Sequence, residues 1–490
     1  MLRRALAILA AAVCGALVLQ SAAAARGAVR GHWAGSHHIQ AHRAAFKRPP
    51  PTRIARVRTH TAAIRRPHVQ PSRMSDRRLG RHPMGPHGMP SAIAYRGAAI
   101  RAGFDVPAPS EQRYVPREVI LDVAPTTSRE SLAALVRQHR LTLLESVPVR
   151  LTGRTLHRVH VDDERSLPIL IRALADDVRI VAAQPNYLYT LQDDGAPRSE
   201  PRGNSPQWIV DKLHLDEAHQ VATGRQVLVA VIDTGIDSAH ACLAGAIRET
   251  FNAVGSEDRP DKHGTAMAGA IVAHCDLVGV APRARLLAVR AFAPGTSTEA
   301  PTLRIVKAID WAVAHGARVI NMSFAGPHDP TLDAPIAAAW RKGVVLVAAA
   351  GNQGPGSPPQ YPAAYPQVIA VTATDADDHL FDRAGRGPHI AVAAPGVDVL
   401  APVPDGAVDF VTGTSVAAAH VSGIAALLIE RQPSLGPDDI RRILAETAVR
   451  LRSSPDRSDA GSGLVDAWQS LRALGLSAAA SSGVPASAAR

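Results

Sequence analysis

From residue 207 onward the chain alternates short, nearly continuous apolar runs with longer segments whose apolar positions recur at helical spacing. The runs "VLVAVID", "ARLLAVRAF", "ARVINMSF", "GVVLVAAAGN" and "VIAVTAT" are too uniformly apolar for strands wetted on one face. They predict a parallel sheet with helices on both faces, an α/β fold whose functional residues gather at the carboxyl ends of the strands. Residues 113–192 follow another pattern: "REVILDVA" and "TLHRVHV" read as strands, "SRESLAALVRQHR" as an amphipathic helix capped by Ser128, "LPILIRALADD" as a second helix and "IVAAQPNYLYTL" as a closing strand. That is a small α+β unit of its own. A polar, Pro- and Gly-rich linker, 193–206, suited to proteolytic processing somewhere in 190–206, separates the two, and the Ala/Ser-rich tail 473–490 reads as disordered, leaving 207–472 as the main domain.

Composition changes the picture at the amino end. Residues 1–25 carry Arg3 and Arg4, an apolar run and a small-residue stretch, the pattern of a signal peptide. No other stretch is apolar and long enough to span a bilayer, which predicts an exported protein, secreted or periplasmic. Residues 26–112 hold about 16 Lys and Arg against 3 Asp and Glu, roughly +13, so the net charge of +11 belongs to this leader and the rest is near neutral. The segment is too poor in large aliphatics to fold, and the high isoelectric point therefore does not mark the folded part as nucleic-acid binding. Of the three cysteines, Cys14 leaves with the signal peptide, and Cys242 and Cys275 remain in an oxidising setting that permits a disulfide.

Three polar residues stand where this fold gathers chemistry. Asp233 closes the strand "VLVAVID", His263 opens the small-residue helix "HGTAMAGAIVA", and Ser415 opens the apolar helix of "VTGTSVAAAHVSGIAALL". Each has a plain structural reading, since a helix-capping serine alone contributes about 1 kcal/mol. Each also fits nucleophilic catalysis, in which a hydroxyl at a helix N-terminus needs a base and the base needs an orienting carboxylate.

Together "AVIDTGID", "HGTAMAGAIVA" and "GTSVAAAHVSGIAALL" resemble the signature blocks of the subtilisin-like serine proteases, over roughly residues 207–470. The preceding unit, with its "PNY" at 185–187, resembles the inhibitory propeptide of that family. The resemblance implies a serine endopeptidase made as a zymogen, with Asp233, His263 and Ser415 as its triad, Asn352 of "AAAGNQG" as the oxyanion donor, and Ser323, Phe324, Ala325 and Gly326 as a strand edge for substrate. It implies protein or peptide substrates, the chain's own propeptide as intramolecular inhibitor, a monomer, and no required cofactor. Calcium is an optional ligand in the family, but the usual loop site is shortened in "HCDLVGVAP", where a Cys242–Cys275 disulfide would take its place. Ala266, Val416 and Ala419 depart from the family pattern, which raises the alternative of a catalytically silent, peptide-binding relative. A basic surface-binding protein acting through the leader is a third reading. A nucleotide-binding enzyme is disfavoured, because no Gly-rich loop with Lys and Ser/Thr follows a strand.

Overall fold

A computed structural model describes residues 101–192, 207–257, 259–293, 299–452 and 457–481. The signal-like segment 1–25, most of the basic leader, the linker 193–206 and the end of the tail lie outside the described residues.

The first unit is an antiparallel sheet with two helices: β1 (Tyr114–Val123), α1 (Arg129–Gln138), β2 (Leu141–Val149), β3 (Arg154–Val161), α2 (Leu167–Ala175) and β4 (Ile180–Leu191). Ser128 caps α1, its hydroxyl accepting the Ser131 N–H at 3.1 Å. The strand β2 does not stand out in the sequence because Leu143 and Leu144 are exposed and blur its alternation. Residues 101–112 join this unit: Phe104 bridges to Ala183 and is buried in the same core as Leu135, Leu170 and Ile171.

The second unit is built on seven parallel strands in the order β13-β12-β11-β9-β5-β7-β6. In chain order these are β5 (Leu228–Asp233), β6 (Ile247–Asn252), β7 (Arg285–Arg290), β9 (Val319–Met322), β11 (Val345–Ala349), β12 (Val368–Thr374) and β13 (Ile390–Pro395). Outside this sheet lie two short strands, β8 (Glu299–Pro301) and β10 (Phe324–Ala325), and the hairpin of β14 (Val399–Val403) and β15 (Ala407–Val411). On one face lie α3 (Lys262–Val272) and α6 (Thr414–Arg431); α4 (Thr302–Ala314) and α5 (Pro330–Arg341) pack in the core of the other. The apolar runs read from the sequence are buried throughout in β11 and β12, as strands covered on both sides must be. Sixteen consecutive residues of α6, from Thr414 to Ile429, are buried, and their small side chains let the helix lie close under the sheet.

Two sequence boundaries shift. The helix α8 (Ala467–Ser481), following α7 (Pro437–Thr447) in the main chain path, runs past residue 472 into the stretch read as a tail, because Leu471 and Leu474 still find a core. Residues ahead of 113 also belong to the first unit, since Phe104 and Val106 pack in its core.

The two units share a sheet. β4 pairs antiparallel with β10 through Phe324–Leu191 and Ala325–Thr190, and with β8 through Leu188–Pro301, Tyr189–Ala300 and Thr190–Glu299. The sulfurs of Cys242 and Cys275 are bonded, tying the turn after β5 to the turn that follows α3.

Candidate active site

The site lies where the sheet ends. Asp233, the last residue of β5, is fully buried, and its Oδ1 accepts the Thr234 N–H at 2.7 Å. The same oxygen lies 2.7 Å from His263 Nδ1. With the Asp233 oxygen accepting, Nδ1 carries the proton and Nε2 is the ring atom that faces Ser415 Oγ, at 3.1 Å. His263 is set by its own helix: Asp261 caps α3 by accepting the His263 N–H at 3.0 Å, and the Gly264 N–H donates to Thr234 Oγ1 at 2.9 Å. A Cβ at Gly264 would meet the Thr234 carbonyl at 2.8 Å, so the close approach of α3 to β5 needs glycine there.

Ser415 occupies the first turn of α6, where free N–H groups and the helix dipole favour negative charge. Asn352 lies just beyond β11, and its orientation is determined by its neighbours. Its Oδ1 accepts the Thr414 N–H and hydroxyl at 3.1 and 2.9 Å, which leaves Nδ2 to donate elsewhere. That donor reaches the carbonyl oxygen of Gln192 at 2.9 Å.

Gln192, immediately after β4, fills the cleft. Its carbonyl oxygen lies 2.5 Å from Ser415 Oγ, its N–H donates to the Ser323 carbonyl at 3.3 Å, and its side-chain Oε1 accepts the Asn352 N–H at 2.7 Å. Gly413 makes room: with φ at 157°, a Cβ there would stand 2.3 Å from that carbonyl oxygen.

Of the four edge residues, Ser323, Phe324 and Ala325 meet residues 190–192 through their backbones. Gly326 instead pairs its backbone with Tyr361 and lies under the ring of Tyr189, where any Cβ would clash at 2.6 Å. Tyr189 is fully buried, edge-on to Phe324 at 5.8 Å, with its hydroxyl donating to the Pro327 carbonyl at 3.2 Å. A further polar chain runs beneath Ser415: Ser422 Oγ donates to Asn321 Oδ1, Asn321 Nδ2 to Ser323 Oγ, and Ser323 Oγ to the Ser415 carbonyl, at 3.0, 2.9 and 3.0 Å. His420, the other histidine near this helix start, is no rival base, since burial pushes it down to about 4 and its Nδ1 bonds the Pro395 carbonyl.

The Subtilase family model matches residues 224–468. The chain belongs to this family. It is similar to a thermophilic serine proteinase of Bacillus sp. (strain AK1), 31% identical over 350 residues that cover 69% of this chain and 83% of that one. It is likewise similar to subtilisin E of Bacillus subtilis (strain 168), 38% identical over 56% of this chain and 74% of the relative. Among solved structures it is similar to fervidolysin from Fervidobacterium pennivorans, a keratinolytic enzyme related to subtilisin, with a TM-score of 0.65 and 26% identity over 75% of this chain and 62% of that one. This subtilase is a serine endopeptidase with the α/β fold of its family.

Its departures from the family pattern are packing residues. Ala266, Val416 and Ala419 are all buried in the core between α3 and α6, and none faces a proton-transfer step as side-chain chemistry. Among the described residues one trio, Asp375, Asp377 and His379, brings metal-ligand atoms within 4.8 Å of one another, but Asp375 Oδ1 is already engaged by the Asp377 and His379 N–H groups, as in a hydrogen-bonded turn. No helix among the described residues is long and apolar enough to cross a membrane. An inhibitory unit ending near 192 is expected from the sequence to leave its carboxyl end in the cleft, but that Gln192 is the residue there, the second edge at β8 and the chain from Ser422 to Ser323 are not legible in it.

Proposed function

We propose that this endopeptidase is an exported zymogen that cuts itself between Gln192 and Asp193, leaving residues up to 192 bound across the cleft as an inhibitor. The observation that carries this is the Gln192 carbonyl, held between Ser415 Oγ at 2.5 Å and Asn352 Nδ2 at 2.9 Å. The bonded cysteines and the amino-terminal sequence support export.

At rest the Ser415 hydroxyl donates to the Gln192 carbonyl oxygen, and in the proposed reaction it turns its proton to His263 Nε2, 3.1 Å away. Ser415 Oγ attacks the Gln192 carbonyl carbon while His263 Nε2 takes the hydroxyl proton, and Asp233 holds the imidazole in the required tautomer and stabilises its cation. The carbonyl oxygen becomes an oxyanion within reach of Asn352 Nδ2. His263 then gives its proton to the Asp193 nitrogen as the C–N bond breaks, leaving an acyl-enzyme on Ser415. Water, deprotonated by the same imidazole, releases the Gln192 carboxylate. Protein substrates then use the same edge, with the residue in place of Tyr189 seated against Phe324 and Gly326.

Mass spectrometry of the expressed full chain tests the reading. Fragments ending at Gln192 and beginning at Asp193 are expected from the native sequence and absent from Ser415→Ala. A native chain that folds yet remains whole, or that is cut elsewhere, overturns it.

A further inference from the structure

The hydroxyl of Thr302, the first residue of α4, lies between two acceptors. It is fully buried, 3.2 Å from the backbone carbonyl of Tyr187 and in hydrogen-bond contact with Oδ2 of Asp329, which is also fully buried. Tyr187 is the sixth residue on the acyl side of the proposed scissile bond. A hydroxyl has one proton, whereas a peptide carbonyl and an ionised carboxylate have none to give. If Asp329 is ionised, the charge-assisted bond takes the Thr302 proton and the Tyr187 carbonyl loses its donor. If Asp329 is protonated, its own O–H donates to Thr302 Oγ1, and the Thr302 proton is free for Tyr187. Asp329 Oδ1 accepts the Thr331 N–H at 2.8 Å, capping α5, and can do so in either state.

We propose that Thr302 and Asp329 form a proton-dependent clasp, gripping the backbone of the strand in the cleft at its sixth acyl-side residue only when Asp329 carries a proton. This rests on reading residues 187–192 as a product-like strand. Both are positioning residues, since neither touches the reacting atoms.

The surroundings favour the proton. Burial pushes the Asp329 carboxyl up to about 6, Asp105 of the first unit pushes the same way, and the bonds from Thr302 and Thr331 oppose them. The first unit also presents Glu111, Arg113 and the hydroxyls of Tyr187 and Tyr189 to this region. The second presents His328, Asp333, Tyr361 and Tyr365, whose hydroxyl donates to the Asp329 carbonyl at 2.7 Å. His328, half-exposed, is raised chiefly by its bond to Asp333, and the charges of Asp105 and Asp329 push the same way. The sign follows from proton linkage: the closed clasp holds a proton that an uncovered carboxyl, with an ordinary value of about 4, would release. Closure is therefore complete in acid and weakens as pH rises from about 4 through about 6.

Amide hydrogen exchange on the full chain carrying Ser415→Ala tests the clasp without requiring any peptidase activity. After correction for intrinsic exchange rates, protection of the amides of residues 187–192 should fall at least about tenfold between about pH 4.5 and about pH 7.5. Asp329→Asn keeps the cap acceptor and supplies a permanent N–H toward Thr302, so protection should stay high and change less than about twofold over the same range. Thr302→Val should bring the acid value down to the neutral one, and Thr302→Ser should restore the pH dependence. Protection of β11 and β12 amides reports whether each variant keeps its main fold. The proposal is overturned if Asp329→Asn retains the full pH dependence, or if Thr302→Val leaves acid protection intact. Because the readout is exchange in an uncuttable chain, its failure is separate from a failure of self-cleavage, which the native chain's fragments report.

Discussion

The two sheets that meet at the cleft are built to different standards of completeness. At the carboxyl edge of the seven-stranded sheet, Asp233, His263, Asn352 and Ser415 are buried and positioned by short-range devices such as a strand end, a helix cap and a glycine beneath a close crossing. In the antiparallel sheet, Thr190 and Leu191 are ordinary strand residues, and their register with β10 delivers Gln192, the residue after the strand, to Asn352 and Ser415. A one-residue slip would turn every side chain of β4 to the other face and remove Tyr189 from Phe324. The lesson is that one half of the site carries preformed chemistry, and the other half becomes part of it only by docking.

Substitutions can break this contrast at either side. Ser415→Ala should abolish self-cleavage and lower peptide hydrolysis by roughly 10⁵ or more, with the melting temperature retained; hydrolysis surviving at a tenth of the native rate would place the nucleophile elsewhere. On the docking side, Tyr189→Ala removes a fully buried aromatic, a loss of about 3 to 5 kcal/mol. In the Ser415→Ala background, denaturation should then separate into two steps, the first unit melting earlier; one unchanged cooperative transition would show that Tyr189 does not anchor the units. Asn352→Ala should lower kcat by about 10² to 10³ with little change in KM if the proposed oxyanion role of its Nδ2, which donates to the Gln192 carbonyl, holds. Equal effects on both constants would assign it to ground-state binding instead. Within the catalytic half, joint replacement of Cys242 and Cys275 by Ala should destabilise by about 3 kcal/mol, measurable by urea denaturation, as should a reducing agent on the native chain. The smallest effect is local: Ser128→Ala should cost the first unit about 1 kcal/mol through its lost cap and leave the kinetics of the freed protease unaltered.

Legibility in the sequence follows the same division. The parallel strands announce themselves because burial on both faces demands uninterrupted apolar residues, and Asp233, His263 and Ser415 are visible because each marks the end or start of such an element. The strand β2 was hidden by exposed leucines, and the end of α8 by an Ala/Ser-rich composition that resembles disorder until Leu471 and Leu474 find a core. Phe324 and Gly326 were recognisable as an edge, but not as the floor beneath Tyr189, since that contact joins positions more than a hundred residues apart.

The sequence by itself determined the elements and the chemistry: periodicity sets strand against helix, and residue type sets which groups can accept, donate or transfer a proton. Tertiary structure alone decided which backbone carbonyl meets Ser415, and that Thr302 stands between Tyr187 and Asp329. The physical reason is range. Propensity, capping and burial pattern act over a few residues, whereas register between distant strands and the sharing of one proton among three groups depend on distances that exist only once the chain has folded.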